Sequence, residues 1–184
     1  MKGERRGSKK CLAYVAAFIV FQAIVIAVFA LTVMKIKSPK VRFGYVTAEN
    51  FSSSNTNGPS FSMDLKAQFT VKNTNFGHFK YENSTVTILY HGMPVGEAFI
   101  AKARAKARST RRFDITIPIS SARLTNTASL GNDINGGVLT LTSQAKLSGK
   151  VHLMKVLKKK KSGEMSCTMS VNLGTRAVQD LKCK

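Results

Sequence analysis

The feature that most limits the possible folds of this chain is an unbroken apolar run at residues 11–34, CLAYVAAFIVFQAIVIAVFALTVM. This run carries no charged side chain. As a helix it would rise about 36 Å, more than the roughly 30 Å hydrocarbon core of a bilayer. A cleaved signal peptide is the alternative, with Val28, Phe29 and Ala30 as a small-residue cleavage site, but its apolar core would span only about 7–15 residues. We therefore expect an uncleaved transmembrane helix, a signal-anchor, over 11–34.

The charges beside the run bear on its orientation. Five cations precede it, offset by Glu4, and four follow it: Lys2, Arg5, Arg6, Lys9 and Lys10, then Lys35, Lys37, Lys40 and Arg42. The positive excess before the run is slight and favours a cytosolic N-terminus. We expect residues 1–10 to be a basic cytosolic tail and the chain after the run to lie outside the cytosol.

Three further positions depend on that topology. The sequons at Asn50 and Asn83 are candidate glycosylation sites, usable only in the secretory lumen, although such sequons also arise by chance. Cys11 would lie at the cytosolic edge of the span, where it is a candidate palmitoylation site or simply a small apolar residue at a helix start.

Beyond about Val41 the apolar pattern changes to period two, which is typical of half-buried β-strands. The alternating segments are SFSMDLKAQFTVKN, STVTILYHG, RRFDITIPI, GVLTLTS, KLSGKVHLMKVL and EMSCTMSVNL. Polar segments at 52–60 and 129–137 indicate loops between strands. The pattern predicts one all-β sandwich domain over residues 35–184.

No catalytic constellation is visible in the sequence. His78, His91 and His152 are scattered, and two cysteines with fifteen residues between them, without a second close pair, do not make a zinc site. We therefore predict no catalytic residues, no metal and no cofactor, and a protein that is not an enzyme.

The formal net charge is +20, with 29 Lys and Arg against 9 Asp and Glu. Such an excess indicates either polyanionic partners or a self-repelling soluble surface. The candidate anion-binding residues fall in two segments: Lys102, Arg104, Lys106 and Arg108, and then Lys158, Lys159, Lys160 and Lys161. An extended chain would place the first four on one face, whereas a helix would scatter them. The second four are expected at a hairpin tip, where a solvated loop is the alternative. Neither segment interleaves aromatic residues, so we predict no nucleic acid partner.

The stretch FTVKNTNFGHFKYENSTVTILYHGMPVGEAFI resembles the core of the plant late embryogenesis abundant (LEA) group 2 family. This family is also called the water stress and hypersensitive response domain, and it includes the harpin-induced-like membrane proteins. Its Asn-Pro-Asn, Tyr and Tyr-X-Gly signatures are matched by Asn73, Asn75, Tyr81, Tyr90 and Gly92, and Thr74 stands in place of the proline. The basic N-terminus, the single span and KIKSPKVRF after it are similar to these proteins as well.

The resemblance implies a fibronectin-III or immunoglobulin-like β-sandwich on a single-pass anchor, without enzymatic activity. It also implies location at the plasma membrane, with an extracellular C-terminal domain, or at the endoplasmic reticulum or another endomembrane. The implied roles are in abiotic stress and in defence, with protein partners in signalling. The alternative is an electrostatic polyanion binder that tethers the membrane to anionic lipid or cell-wall pectin.

The two C-terminal cysteines are expected to pair. If SCTMSVNL and AVQDLKC are antiparallel strands joined around Thr175, Leu173 faces Ala177, Met169 faces Leu181 and Cys167 faces Cys183. Opposed residues in such strands have Cα atoms about 4.5–5.5 Å apart, which a disulfide can bridge. The alternative is two reduced cysteines in a cytosolic domain. We predict a Cys167–Cys183 disulfide, with Cys11 unpaired.

Overall fold

The computed structural model describes residues 4–33, 35–54, 58–125, 127–153 and 157–184. The chain divides into two compact units, of which the first ends at Ile36 and the second spans Lys37–Lys184. The first unit is helix α1, Glu4–Val33, in which Lys10–Thr32 is long and apolar enough to cross a membrane by length and composition. The helix begins inside the predicted tail, because Glu, Arg and Lys are good helix formers. Residues 1–3 of that tail and Met34 of the predicted span lie outside the described residues.

The second unit, which we call the β body, is built almost entirely of strands. In chain order they are β1 Lys40–Ser54, β2 Ser60–Lys72, β3 His78–Tyr81, β4 Ser84–Tyr90, β5 Met93–Ile100, β6 Ala103–Ala105, β7 Thr110–Ser120, β8 Val138–Leu153, β9 Leu157–Asn172 and β10 Ala177–Cys183. A 3-10 turn, Ser121–Arg123, and a short helix α2, Leu130–Asn135, lie between β7 and β8. The all-β fold after an apolar helix is confirmed.

The strands form one continuous antiparallel sheet rather than two separate ones. β1, β2 and β7 make one part, and β5, β4, β8, β9 and β10 make the other. One residue pair, Gly96 with Ile119, joins the two parts through β5 and β7. A Cβ at position 96 would overlap the Pro118 carbonyl, so only glycine permits this approach. Since β1 also lies against β9 and β10, the sheet closes on itself and the sandwich is barrel-like.

The long strand β8 organises the half of the sheet that bears most on function. Its outer edge pairs first with β4 and then with β3, which in turn pairs with β6. Its other edge pairs with β9 along its whole length. Strands β6, β3, β8 and β9 therefore lie side by side, in that order.

Alternation along the strands separates a buried face from a solvated one, as the period-two pattern requires. The inward side chains form a single apolar core, whose fully buried members include Leu65, Phe69, Phe79, Ile88, Tyr90, Ile117, Leu141 and Met169. The Tyr90 hydroxyl also donates to Asp133 Oδ2 at 2.7 Å, which fastens α2 to the end of β4.

Several local predictions were wrong. Most of the segments GVLTLTS and KLSGKVHLMKVL lies in one strand, β8, rather than in two. Of the second segment, residues 154–156 lie outside the described residues and Leu157 begins β9. The predicted loop at 129–137 contains α2. Of the predicted loop at 52–60, residues 52–54 belong to β1 and Ser60 to β2, and residues 55–57 lie outside the described residues. Strands β1, β3, β5 and β6 were not among the predicted strand segments.

Candidate anion-binding face

The first basic segment is extended only in part. Lys102, Arg104 and Lys106 are exposed at alternate positions, and Ala105 between the last two is fully buried, so these three cations share the outer face of β6. This agrees with the extended alternative and not with the helical one. Strand β6 is only three residues long, and a turn follows it.

The prediction that Arg108 shares this face was wrong. Arg108 has a positive φ of 51°, so the chain turns before the alternation reaches it. Its N–H donates to the Asn75 carbonyl oxygen at 2.9 Å, and its guanidinium lies over the Phe76 ring, 4.7 Å from the centroid. Arg108 therefore caps an exposed aromatic ring instead of extending the row of cations.

The second basic segment lies in strand β9 and not in a hairpin loop. Lys158 to Lys161 pair with residues 152 to 149 of β8, and the three residues that join the two strands are outside the described part of the chain. Because side chains alternate along a strand, Lys158 and Lys160 lie on the outer face. Lys159 opposes the buried Val151 and Lys161 opposes Gly149, so both point to the opposite side.

Cross-strand pairing brings the two segments together through lysines that the sequence reasoning did not single out. Arg104 pairs with Lys80, Lys80 pairs with Lys150, and Lys150 pairs with Lys160. Paired residues on neighbouring strands point to the same side of a sheet, and all four side chains are exposed. Four cations thus stand in one line across β6, β3, β8 and β9; we call this line the four-cation row.

A second line of side chains lies on the same face, two residues along each strand from the four-cation row. His78 pairs with His152, and His152 pairs with Lys158. Partial burial and the positive charges of Lys80, Lys158 and Lys150, with His78, lower the pKa of His152 below its ordinary value. The pKa is lowered first by burial and then by the clustered cations, since both disfavour the charged imidazolium. We call the two lines together the basic face.

The cations of the four-cation row have no acidic partner among the described residues. The acidic side chains nearest in register are Glu82, two residues from Lys80, and Glu164, whose carboxylate is already paired with Lys146 at 2.8 Å. Like charges directly opposite one another destabilise a sheet, typically by a few tenths of a kcal/mol per pair. The row therefore presents uncompensated positive charge to solvent.

An open depression of about 560 Å³ adjoins the row. Its lining includes two lysines of the row, two lysines outside the row, three serines and one carboxylate: Lys150 and Lys160, Lys146 and Lys161, Ser38, Ser148 and Ser162, and Glu82. The site can therefore attract an anion and also exchange hydrogen bonds with neutral hydroxyl groups.

Asn73 fixes the position of β6. This buried side chain donates from Nδ2 to the carbonyl oxygens of Gly77 at 2.8 Å and Lys106 at 2.9 Å. One amide thus ties the start of β3 to the end of β6. The first asparagine of the matched signature therefore supports the edge on which Arg104 stands.

Cys167 and Cys183 form a disulfide, with Cα atoms 4.0 Å apart. The predicted register holds at the cysteines but not near the turn, where Ala177 pairs with Asn172 instead of Leu173. A bulge between Gln179 and Lys182 restores the register, and the connecting turn spans four residues with a positive φ at its last position. Cys167 is fully buried and Cys183 is exposed.

The remaining candidate sites are placed as follows. Cys11 lies in α1 as a free, exposed cysteine. Asn83 is exposed between β3 and β4, and its Oδ1 accepts from the Lys102 N–H at 2.8 Å. Asn50 lies in a bulged part of β1, and its Nδ2 donates to Asp64 Oδ2 at 2.8 Å. Palmitoylation and glycosylation stay predictions.

Within the described ranges, no three His, Cys, Asp or Glu side chains are grouped so as to hold a metal ion.

Comparison with known proteins places the chain among relatives. The model of the late embryogenesis abundant protein family matches residues 68–169. A curated relative, late embryogenesis abundant protein At1g64065 of Arabidopsis thaliana, is 34% identical over 181 residues, which cover 95% of this chain and 83% of the relative.

Solved structures are similar at a lower level. The solution structure of AT1g01470 from Arabidopsis thaliana has a TM-score of 0.42 and 14% identity, covering 72% of this chain and 82% of that one. A crystal structure of a protein from Archaeoglobus fulgidus has a TM-score of 0.34 and 13% identity, covering 71% and 95%. The assignment rests on the two sequence matches: the chain belongs to the late embryogenesis abundant group 2 family and is a stress-related protein of that type.

Proposed function

We propose that this protein is a non-enzymatic, single-pass membrane protein that acts in water-stress and hypersensitive defence responses through protein contacts of its β body. The observation that carries the proposal is an apolar helix followed by a β body that a disulfide closes. Disulfides persist in oxidising compartments, which favours a β body outside the cytosol. The family membership supports the stress role, and late embryogenesis abundant proteins are generally non-enzymatic.

The proposed location is the plasma membrane, with the N-terminus in the cytosol and the β body extracellular; the endoplasmic reticulum or another endomembrane is the alternative. Protease protection of plant cells that express the chain with a tag at either end tests this arrangement. External protease should remove the C-terminal tag and spare the N-terminal one. The reverse pattern, or protection of both tags in cells whose plasma membrane carries the protein, would contradict the orientation.

The stress role is tested by loss of the protein and by complementation. Plants that lack it should tolerate water deficit less well, and should show altered hypersensitive cell death. The full chain should restore both responses, and a chain that keeps α1 but lacks the β body should not. Proximity labelling from the anchored protein in stressed tissue would then identify the protein partners. Restoration by the helix alone would show that the β body is not the working part.

A second function, electrostatic binding of a polyanion, is favoured by one specific observation, the basic face. Five permanent cations, Lys80, Arg104, Lys150, Lys158 and Lys160, share it with two histidines. Such a surface attracts anionic lipid or wall pectin, and the attraction weakens as salt screens the charges. Binding that persists unchanged from low to high salt would argue for shape-specific protein contact instead.

A further inference from the structure

We propose that the four-cation row is a binding site for a linear polycarboxylate, an acidic polysaccharide chain that lies across strands β6, β3, β8 and β9. The inference rests on the second function proposed above, polyanion binding, and specifies the class of ligand and the residues that bind it. Nothing in the family membership assigns such a site.

The geometry of the row suits an extended chain. Arg104, Lys80, Lys150 and Lys160 are in direct register on four neighbouring strands. Neighbouring strands lie about 4.8 Å apart, so the row is about 14 Å long and runs perpendicular to the strands. A polymer with one charge per repeating unit can therefore meet successive cations along a single line.

The energetics of the row point the same way. Three like-charge pairs stand in direct opposition, and their cations have no acidic partner among the described residues. Each such pair costs stability while the face is empty. A bound polyanion would replace this repulsion with attraction, so binding at this place gains more than binding at an isolated surface lysine.

The chemistry beside the row favours a sugar acid. Ser148, Ser162 and Glu82 line the adjoining depression together with Lys150 and Lys160. A polysaccharide carries hydroxyl groups that can donate to the Glu82 carboxylate and exchange hydrogen bonds with the serines. A polymer made only of phosphodiesters has no hydroxyl group to donate to Glu82, so its negative charge would be repelled there without a compensating hydrogen bond.

Two other polyanions fit the same surface less well. Single-stranded nucleic acid is bound by aromatic stacking. No Phe, Tyr or Trp belongs to the two lines of the basic face or lines the depression. A membrane surface is held more firmly when apolar side chains insert beside the cations, and the four-cation row contains none.

Binding to the full chain, reconstituted in nanodiscs of neutral phosphatidylcholine, tests the proposal. The probes are polygalacturonate, the same polymer fully methyl-esterified, phosphatidylserine vesicles and a single-stranded oligodeoxythymidylate. We expect polygalacturonate to bind in low salt and the esterified polymer not to bind. Stronger binding of the vesicles or of the oligonucleotide than of polygalacturonate would overturn the ligand class.

Substitutions test the place of binding. Changing Lys80, Arg104, Lys150 and Lys160 together to Gln should weaken polygalacturonate binding at least about thirtyfold, because each cation near an anionic surface contributes severalfold. The matched control changes four exposed cations on β1, β2 and β7 to Gln, with the same loss of charge: Lys40, Arg42, Lys72 and Arg112. Equal weakening in both variants would show attraction by bulk charge and overturn the site.

Two adjacent lysines sharpen the test. Lys160→Gln removes a cation of the row, whereas Lys159→Gln makes the same change on the opposite face of the same strand. We expect about a fivefold loss for the first and less than about a twofold loss for the second. If no probe binds the unaltered chain, the site is refuted, whereas the membrane placement and the stress role are decided by the protease and complementation experiments.

Discussion

The side-chain amide of Asn75 forms two hydrogen bonds with the main chain of Lys37. Its Nδ2 donates to the Lys37 carbonyl oxygen at 2.7 Å, and its Oδ1 accepts from the Lys37 N–H at 2.6 Å. Asn75 is buried, and its Nδ2 lies 3.0 Å from Asn73 Oδ1, a second acceptor. Asn75 is the second asparagine of the signature, and Lys37 is the first residue of the β body. The Asn75 side chain thus gives the Lys37 main chain one donor and one acceptor, as a neighbouring β-strand would.

Asn75→Asp should destabilise the β body. The carboxylate still accepts from the Lys37 N–H, but it cannot donate to the Lys37 carbonyl oxygen or to Asn73. A buried polar group left without its partner costs about 1–3 kcal/mol, and we expect a loss of that size in the free energy of unfolding, measured with urea. Gln179→Glu, the same change at an exposed position of β10, is the control and should cost less than about 0.5 kcal/mol. Equal losses in the two variants would contradict the role of this contact.

The disulfide should stabilise the fold by closing the chain between β9 and β10. Cys183→Ser replaces the exposed partner, so the new hydroxyl group is not buried, and Cys167 remains as a buried thiol. For a separation of 16 residues the chain-entropy model gives about 3 kcal/mol, which we expect to be lost in chemical unfolding. The unaltered protein with its disulfide reduced should lose a similar amount. Peptide mapping with thiols blocked at lysis should recover the two cysteines as one linked peptide pair, and recovery as free thiols would contradict the bond.

Polyanion binding should strengthen as pH falls. Burial and the cations of three strands, Lys80 of β3, Lys150 of β8 and Lys158 of β9, with His78, hold the pKa of His152 below its ordinary value of 6.5. His152 is therefore neutral at pH 7 and gains a charge only in more acidic solution. A carboxylate polymer stays ionised at about pH 5 because its own pKa lies near about 4. We expect binding to tighten as pH falls below 7 over the range in which the polymer stays ionised, and a smaller pH effect in His152→Gln than in the control His91→Gln.

The lowered pKa of His152 should make the folded protein less stable as pH falls, whereas it should make polyanion binding stronger. Because the folded pKa of His152 is lower than the unfolded value, the unfolded chain takes up the proton first as pH falls. The contribution of this group to stability is present above pH 6.5 and is lost as pH falls toward the folded pKa. Unfolding of unaltered protein and His152→Gln across this range measures it, and a larger loss in the variant would contradict the assignment.

The sequence predicted those parts of the fold that local pattern determines. Strands β2 and β7 each alternate apolar and polar residues over seven or more positions, so their identity follows from period two. Strand β3 has only four residues and β6 three, too few for a period to be recognised. The helix α2 lies in a segment rich in Gly and Asn, where composition favours a loop and the Tyr90–Asp133 hydrogen bond supplies the missing stabilisation.

Only two of the four cations of the four-cation row could be recognised as site residues from the sequence. Arg104 and Lys160 stood in segments recognised as basic, but Lys80 and Lys150, which connect them, are isolated lysines in the chain. Their alignment depends on the register of β3 against β6 and of β8 against β3 and β9, which is a tertiary property. Strand alternation alone could have assigned Lys158 and Lys160 to one face and Lys159 and Lys161 to the other.

A glycan is expected on Asn83 and not on Asn50. Asn83 is exposed, its Oδ1 accepts the Lys102 N–H, and among the described contacts its Nδ2, the atom that carries a glycan, donates no hydrogen bond. At Asn50 the corresponding nitrogen donates to Asp64 Oδ2 at 2.8 Å, within a bulge that has a positive φ of 53°. If the β body is lumenal, glycosidase treatment and Asn83→Gln should each remove one increment of electrophoretic mass, and Asn50→Gln should remove none. Loss of the increment in Asn50→Gln would reverse the assignment, and the same mobility with and without glycosidase would count against a lumenal β body.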